Sequence, residues 1–254
     1  MQASHVGMGV VIAEDVLEID NALLLEYLHW LINNKEQTFT YSEDGKSATN
    51  QTGFKFEASD TGLAPGRLLD LDGSRSNREP EQKFINFRDS LEDAAYRCLV
   101  EYCQFFPDAH TTCWWRPSGH IAYYGPNQRI GPHCDDQIPF EWGEAPTNQV
   151  SIHNSVSINI YLNTCEVDFS GGEIHFPQVP YTHKPIAGTA AIYPSNFIGR
   201  HEVLPVETGM RVAFLTMACY GVEHGQTVGT PMGHRYWMPD LKKDFLSRQE
   251  QLSR

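Results

Sequence analysis

The segment from Tyr123 to Asp135 places a histidine and an aspartate where they can act together. It reads Tyr-Tyr-Gly-Pro-Asn-Gln-Arg-Ile-Gly-Pro-His-Cys-Asp, so that His133 and Asp135 are two residues apart. On an extended strand, residues at this spacing leave the same face and can converge on one point. A neutral imidazole and a carboxylate are two of the three ligands in the facial triad that holds non-haem Fe(II) with open coordination positions.

The third ligand of such a site is expected to be a later histidine, on a strand that returns beside the first. His201 is the best candidate, while His153, His175 and His183 also follow Asp135 and remain open at this point. A His-x-Asp pair alone is more often a surface or capping pair, so the interpretation depends on the motifs that accompany it.

Length and composition limit the function classes. The chain has 254 residues, of which 41% are hydrophobic, and its 19 basic and 32 acidic residues give a net charge of −13. These values predict one domain over residues 1–254. The acidic balance argues against nucleic acid or an anionic membrane as a partner. No run approaches the roughly 18 apolar residues of a membrane span.

Cysteine usage and the N-terminus bear on the cellular location. Six cysteines lie at irregular spacings without a Cys-x-x-Cys pair, which predicts neither a zinc knuckle nor a disulfide framework. The first residues lack the basic flank and long apolar region of a secretory signal. A cytoplasmic, reducing location is the expectation that follows.

Two helices are predicted before the metal candidate. Apolar residues keep helical spacing after Asp20, which is placed to cap the helix start. A second apolar stripe runs over residues 90–105, with Ser90 and Asp93 forming a Ser-x-x-Asp start. Residues 40–82 are rich in Gly, Ser, Asn and Asp, and are either disordered or a functional cover.

From about Cys113 the pattern changes to short strands separated by glycine and proline. Over residues 157–163, isoleucine and leucine alternate with Ser157, Asn159 and Tyr161, as in a barrel wall with a wet inner side. Several such strands predict a sandwich or barrel, with its core over about residues 113–222. The predicted strands are an edge strand near Gly9–Ile12, then His120–Tyr124, Val156–Asn163, Glu173–Phe176, Thr189–Tyr193 and Arg211–Tyr220, and a last helix is predicted over Asp240–Gln251.

Five motifs in order resemble those of the prolyl 4-hydroxylase type of Fe(II)/2-oxoglutarate-dependent dioxygenases. The resemblance covers roughly residues 85–220. It implies a mainly β fold with flanking helices, namely a double-stranded β-helix, or jelly-roll-like barrel, with the N-terminal helices packed on one sheet. The motifs are Tyr-x-Pro-Asn-Gln-x-x-x-Pro-His-x-Asp (124–135), Ile-Tyr-Leu-Asn (160–163), Gly-Gly-Glu-Ile-His-Phe-Pro (171–177), Pro-Ile-Ala-Gly-Thr-Ala (185–190) and His-Glu-Val-Leu-Pro-Val-Glu-Thr-Gly-Met-Arg (201–211).

The resemblance also implies a ligand set. Fe(II) is expected on His133, Asp135 and His201, with 2-oxoglutarate and O2 at the remaining positions. Arg211 matches the basic position that pairs with the far carboxylate of 2-oxoglutarate. Tyr124 matches a tyrosine that hydrogen-bonds this cosubstrate in relatives. Ascorbate is a candidate reductant.

Two observations narrow the expected reaction. Related halogenases carry a small residue in place of the triad carboxylate, so Asp135 favours hydroxylation or another oxygenase outcome. The paired-arginine signature of nucleic-acid demethylating relatives is missing, in agreement with the acidic charge. We expect hydroxylation of an aliphatic carbon in a free amino acid or other small metabolite, with succinate and CO2 as co-products.

The substrate contacts and the alternatives are less constrained. About twenty residues between Asp135 and Val156 are placed to form a lid over the metal. Phe140 and Trp142 in that segment, together with Asn159, are the expected substrate contacts. The alternatives are a protein or peptide prolyl hydroxylase, a non-oxidative cupin-like metal protein, and an interaction module that kept the fold and lost turnover.

Overall fold

The chain is mainly β, with three α-helices in the part that the structure describes. This structure is a computed structural model that describes residues 1–34, 39–41, 47–50, 55–57, 67–70, 80–117, 119–136, 154–219 and 235–253. The helices are α1 (Asn21–Asn34), α2 (Gln82–Phe105) and α3 (Leu241–Leu252), and the strands are β1 (Gln2–Gly7), β2 (Val10–Glu14), β3 (Phe39–Tyr41), β4 (Ser47–Asn50), β5 (Lys55–Glu57), β6 (Arg67–Asp70), β7 (Trp115–Pro117), β8 (His120–Tyr124), β9 (Ile130–His133), β10 (Asn154–Tyr161), β11 (Phe169–Gly171), β12 (Ile174–Phe176), β13 (Tyr181–His183), β14 (Ala190–Pro194), β15 (His201–Val203), β16 (Val206–Gly209), β17 (Arg211–Cys219) and β18 (Arg235–Trp237).

Two main antiparallel sheets enclose the interior. Over the described residues, the large sheet has nine strands in the order β1-β2-β14-β10-β17-β7-β18, with β8 beside β17 and β6 beside β8. The small sheet has four strands in the order β13-β12-β15-β9. Apolar side chains from both sheets form one buried cluster between them. This arrangement is the expected double-stranded β-helix, and two shorter sheets pair β11 with β16 and β4 with β3 and β5.

Strand β10 separates two kinds of interior. Ile158 and Ile160 belong to the buried cluster that also includes apolar side chains of the three helices. Ser157, Asn159 and Tyr161 alternate with them and are buried on the opposite face, between the two sheets. The predicted alternation is therefore confirmed, because the pleat of a strand sends successive side chains to opposite faces.

Helix α2 covers the outer face of the large sheet, where it packs on β10, β14 and β17. Its predicted start at Ser90 is wrong, because the helix begins eight residues earlier at Gln82. Phe84 and Phe87 extend its apolar stripe, and both rings lie 5.5 Å from the ring of Tyr27 in α1. The Ser90 hydroxyl donates to the carbonyl of Phe87 at 2.6 Å instead of capping a helix start.

The other two helices agree with the sequence pattern. The carboxylate of Asp20 accepts hydrogen bonds from the backbone N–H groups of Ala22 (2.9 Å) and Leu23 (3.1 Å), as a capping residue does. Helix α3 packs on α2, where the Tyr96 hydroxyl donates to Asp244 at 2.7 Å. None of the described helices combines the length and the apolar content of a transmembrane segment.

Strand β2 corrects one prediction. The segment near Gly9–Ile12 was expected at a sheet edge, but β2 lies between β1 and β14 and is therefore an inner strand. Strand β1 is not predicted, because its polar sequence shows no apolar periodicity. Val10 and Val11 are fully buried, in keeping with the inner position.

A buried ion pair ties α2 to the large sheet. Glu92 and Arg116 are 5% and 3% exposed, and their side chains form a salt bridge. Arg116 also donates to the backbone carbonyl of Glu92 at 3.2 Å. The second carboxylate oxygen accepts from the backbone N–H of Gly119 at 2.7 Å, next to the start of β8. One side chain of α2 thus fixes the position of two strands.

We predict that Glu92→Ala lowers the free energy of unfolding by about 3 kcal/mol, because the buried guanidinium of Arg116 loses its counter-charge. Urea denaturation measures the change. Asp93→Ala is the matched control on the same helix, where an exposed carboxylate pairs with Arg97 at 3.0 Å. It should change stability by no more than about 0.5 kcal/mol. Equal effects of the two substitutions would contradict the anchoring role.

Candidate metal and cosubstrate site

Pairing of β9 with β15 brings two histidines together. His133 ends β9, His201 begins β15, and the two are cross-strand partners with ring centroids 4.3 Å apart. Asp135 lies in the turn after β9, and its Oδ1 is 3.4 Å from Nε2 of His133 and 3.9 Å from Nε2 of His201. All three potential ligand atoms lie within 4.8 Å of one another. One metal ion between them can be reached by two imidazoles and a carboxylate.

Both imidazoles are held in the tautomer that suits a metal. Nδ1 of His133 donates to the carbonyl of Gly131 at 2.8 Å, and Nδ1 of His201 donates to the carbonyl of Gly199 at 3.0 Å. A carbonyl oxygen only accepts, so the proton is on Nδ1 in each ring. In the neutral form of each ring, the lone pair on Nε2 is then available to a metal ion, and the Nδ1 hydrogen bond fixes the ring orientation.

The turn that carries Asp135 is tied to the large sheet. The amide of Asn154, at the start of β10, donates to the backbone carbonyl of Asp135 at 2.7 Å. The next backbone N–H, of Asp136, donates to the carbonyl of Ser195 at 2.9 Å. These bonds fix the aspartate relative to the histidines of the small sheet.

The three side chains affect one another's protonation. Burial lowers the pKa of His201 to about 4, although Asp135 opposes the shift. Burial also acts against the charged form of His133, but the hydrogen bond and charge of Asp135 outweigh it and raise that pKa. Burial acts to raise the pKa of Asp135, yet the charge that His201 gains at acidic pH, with the hydrogen bond and charge of His133, holds it well below its usual value. An ionised carboxylate beside a neutral His201 is the donor form that metal binding needs.

Tyr193 of β14 reaches the same place from the large sheet. Its hydroxyl lies 3.2 Å from Nε2 of His201 and accepts a hydrogen bond from the amide of Asn159 at 3.1 Å. Its ring lies 4.6 Å from the ring of His201. Tyr193 therefore borders the candidate metal position, and Asn159 orients its hydroxyl.

Arg211 places a buried positive charge between the two sheets. It begins β17, is 1% exposed, and is the cross-strand partner of Tyr124. Its guanidinium carbon lies 5.1 Å from the ring centre of Tyr124 and 5.4 Å from that of Tyr161. Two aromatic faces therefore flank a buried cation, an arrangement that stabilises the charge without neutralising it.

Several buried polar atoms near Arg211 have no hydrogen-bond partner among the described residues. They include Nε and Nη2 of Arg211, which form one edge of its guanidinium, and the hydroxyl of Tyr161. Oδ2 of Asp135 and Nε2 of His183 are in the same condition. An orphaned buried polar group costs about 1–3 kcal/mol, so such atoms are expected to meet a ligand. A dicarboxylic keto acid beside a metal ion fits them, because one end would meet a fork of N–H donors.

The remaining predicted residues divide into two groups. Phe140, Trp142 and the alternative ligand His153 lie outside the described residues. Asn159 is 3% exposed on the inner face of β10, with its amide directed to Tyr193. Of the other histidines, His175 forms a hydrogen bond with Thr182 at 2.9 Å. His175 and His183 both stay outside the His133–Asp135–His201 group.

Cys165, Glu166 and Glu173 form a second group whose atoms are close enough for a metal ion. Two of its members are engaged elsewhere: the Cys165 thiol donates to the carbonyl of Gly171 at 3.5 Å, and the exposed Glu166 pairs with Lys184 at 3.0 Å. The glycine turn beside it contains a β-bulge in which Gly171 has φ of +70°. This group lacks the imidazoles of the first.

Sequence reasoning missed three residues of the site. The sequence places Tyr161 on the polar face of its strand without indicating a role, and it does not indicate that Tyr193 lies beside His201 or that His183 lies beside Tyr161. The alternation of side chains along β10 was the available signal that Tyr161 faces the interior between the sheets. Tyr193 is the cross-strand partner of Ser157, so its facing follows only after the strands are paired. His183 ends a strand of three residues, which is too short to show a period.

Comparisons with known proteins agree with this geometry. Residues 119–217 match the family model described as the 2OG-Fe(II) oxygenase superfamily. No curated protein matches the chain by sequence. The fold is similar to that of solved prolyl hydroxylases, each at 14–17% identity and a TM-score of 0.50.

Three of these solved structures are the following. The viral collagen prolyl hydroxylase of Paramecium Bursaria Chlorella virus-1, in its 2OG complex, is 14% identical, with 84% of this chain and 96% of that chain covered. A Pseudomonas putida prolyl-4-hydroxylase is 15% identical, with 84% and 94% covered. A Trichoplax adhaerens prolyl hydroxylase in complex with a hypoxia inducible factor peptide is 17% identical, with 83% of each chain covered.

We predict that His201→Ala lowers the affinity for Mn(II), a redox-stable probe, by at least about 100-fold, more than the loss of an outer-shell partner. Isothermal titration calorimetry under nitrogen measures it. His175→Ala is the matched control, because this histidine is bonded to Thr182 and lies outside the metal group. An unchanged Mn(II) affinity in His201→Ala would refute the ligand assignment.

Proposed function

We propose that this chain, a 2-oxoglutarate-dependent dioxygenase with the 2OG-Fe(II) oxygenase core over residues 119–217, hydroxylates an aliphatic carbon of its substrate. In the overall reaction, substrate, O2 and 2-oxoglutarate give hydroxylated substrate, succinate and CO2. One oxygen atom enters the substrate and the other enters succinate. Fe(II) and 2-oxoglutarate supply this oxidative chemistry when bound, and the protein binds, orients and excludes water.

The observation that carries the proposal is the placement of a metal-type donor group and a buried cation in one interior. His133, Asp135 and His201 would hold Fe(II), since their ligand atoms lie within 4.8 Å of one another. Arg211 is fully buried, and one edge of its guanidinium has no partner among the described residues. A buried cation in that condition needs an anion, and the far carboxylate of 2-oxoglutarate supplies one.

The other side chains would fix the orientation of the cosubstrate. Tyr124 and Tyr161 flank the guanidinium with their rings, which limits where a carboxylate can meet it. On the metal side, Nε2 of His201 now faces the hydroxyl of Tyr193. If His201 held a metal ion through that nitrogen, the Tyr193 hydroxyl would be available to donate to a bound ligand, while Asn159 would still donate to its oxygen.

A free amino acid or another small metabolite is the first substrate candidate. It is the expectation from the sequence, and Asp135, a carboxylate in the triad position, supports hydroxylation over halogenation. Asn159 supports a polar substrate group near the metal, because it is buried there and its Oδ1 has no partner within the described residues. Phe140 and Trp142 remain proposed contacts from the sequence alone.

A peptidyl proline is the second candidate. The observation that favours it is the similarity of the fold to three prolyl hydroxylases, one of which is in complex with a peptide. Both candidates would be hydroxylated at an aliphatic carbon. They differ in whether this carbon belongs to a free small molecule or to a residue of a polypeptide.

We predict that Arg211→Gln weakens the binding of 2-oxoglutarate by at least about 30-fold, because the far carboxylate loses its buried counter-charge. Under anaerobic conditions with Fe(II), the cosubstrate titration is followed by the weak visible charge-transfer band of the bound keto acid. Arg211→Lys retains the charge but not the two-pronged donor edge, so an intermediate loss is expected. Arg200→Gln, next to His201 but exposed, is the control. Wild-type affinity in Arg211→Gln would contradict the proposal.

We predict that the wild-type enzyme adds one oxygen atom to a free amino acid and shows substrate-stimulated release of succinate. A mass-spectrometric screen of free amino acids and short proline peptides, with Fe(II), 2-oxoglutarate and ascorbate, measures both. Oxygen addition to the peptides alone would replace the first candidate by the second. No oxygen addition and no succinate in any reaction would count against the enzymatic proposal.

A further inference from the structure

His183 is a buried histidine that the metal group does not use. It is 8% exposed and ends β13, where it pairs with Ile174 of β12. Directly paired residues of two strands share a face of the sheet. Ile174 belongs to the cluster between the two sheets, so the imidazole also faces this interior.

The ring of His183 lies beside Tyr161, one of the two aromatic side chains that flank Arg211. Its centroid is 5.2 Å from that of Tyr161, whose ring is also 5.4 Å from the guanidinium carbon of Arg211. The ring of Tyr181 is stacked on the ring of His183, with the centroids 6.4 Å apart and an angle of 22° between the ring planes. His183 and Arg211 therefore both lie beside Tyr161, and the three side chains come from three different strands.

Each of these three side chains has a buried polar atom without a hydrogen-bond partner among the described residues. The atoms are Nε2 of His183, the hydroxyl of Tyr161, and Nε and Nη2 of Arg211. One such buried atom is not unusual, but several on adjoining side chains indicate a missing polar occupant. A carboxylate, with about four lone-pair directions, matches this set of donors.

The charge balance also suits a single carboxylate. Burial, with a smaller contribution from Arg211, lowers the pKa of His183 to about 4, so the imidazole is neutral at physiological pH. A neutral imidazole with its proton on Nε2 adds a donor without adding a second positive charge. One buried cation and one carboxylate then remain matched.

We propose that His183 donates a hydrogen bond from Nε2 to the far carboxylate of 2-oxoglutarate and, with Arg211 and Tyr161, selects a keto acid of this length. This inference depends on the proposed function, since it assumes that Arg211 binds that carboxylate. It makes His183 a positioning residue for the cosubstrate, at the end opposite the metal.

The test compares two ligands on Mn(II)-loaded protein by anaerobic titration calorimetry. The ligands are 2-oxoglutarate and oxalate, which offers metal-chelating oxygens but has no further carboxylate to meet Arg211. His183→Phe keeps an aromatic ring against Tyr161 and Tyr181 while removing the donor. It should weaken 2-oxoglutarate about tenfold, the effect of one hydrogen bond to a charged group, and leave oxalate unchanged. His183→Asn, which restores an N–H donor, should recover part of the loss, and His175→Phe is the matched control.

Three results are distinguishable. Wild-type affinity for 2-oxoglutarate in His183→Phe, or an equal loss for both ligands, overturns the role of His183. If His183→Phe fails to fold by circular dichroism, the same pair of ligands on His183→Asn and His183→Leu decides the question. Absence of 2-oxoglutarate binding to the wild type, or wild-type affinity in Arg211→Gln, overturns the proposed function itself.

Discussion

The site depends on the antiparallel pairing of β9 with β15. Because His133 and His201 are direct partners in that ladder, their side chains leave the same face at the short distance that cross-strand neighbours share. A shift of one residue in register would send one imidazole to the opposite face. The metal donors are thus set by backbone hydrogen bonds, and only Asp135 depends on a turn. That turn is itself bonded to the large sheet through Asn154 and Asp136.

The large sheet allows a cation to be buried in a stable protein, together with several polar atoms that have no hydrogen-bond partner among the described residues. Its strands separate the two requirements by alternation: one face packs against α1 and α2 in a continuous apolar core, and the other carries Tyr161 and Arg211. Burial of each large apolar side chain contributes about 1.5–3 kcal/mol. The outer face therefore offsets the cost of the polar interior, and Glu92 fixes the helix layer in place.

The sequence was informative about features that a single strand or a single motif determines. The His-x-Asp spacing, the alternation over residues 157–163 and the motif order predicted the fold, the metal-type group and the neighbourhood of Tyr124 and Arg211. It failed where facing depends on a partner strand, as for His183 and Tyr193. The start of α2 was misplaced because Ser90 and Asp93 imitate a capping pair, whereas Phe84 and Phe87 extend the helix by packing on α1.

The most direct test of the central claim is anomalous diffraction from crystals grown anaerobically with Mn(II) and 2-oxoglutarate. The account predicts one strong Mn(II) peak within bonding distance of Nε2 of His133, Nε2 of His201 and a carboxylate oxygen of Asp135. The far carboxylate of the keto acid should lie against the Nε–Nη2 edge of Arg211. A peak at the Cys165–Glu166–Glu173 group instead, or a keto acid bound with no contact to Arg211, would contradict it.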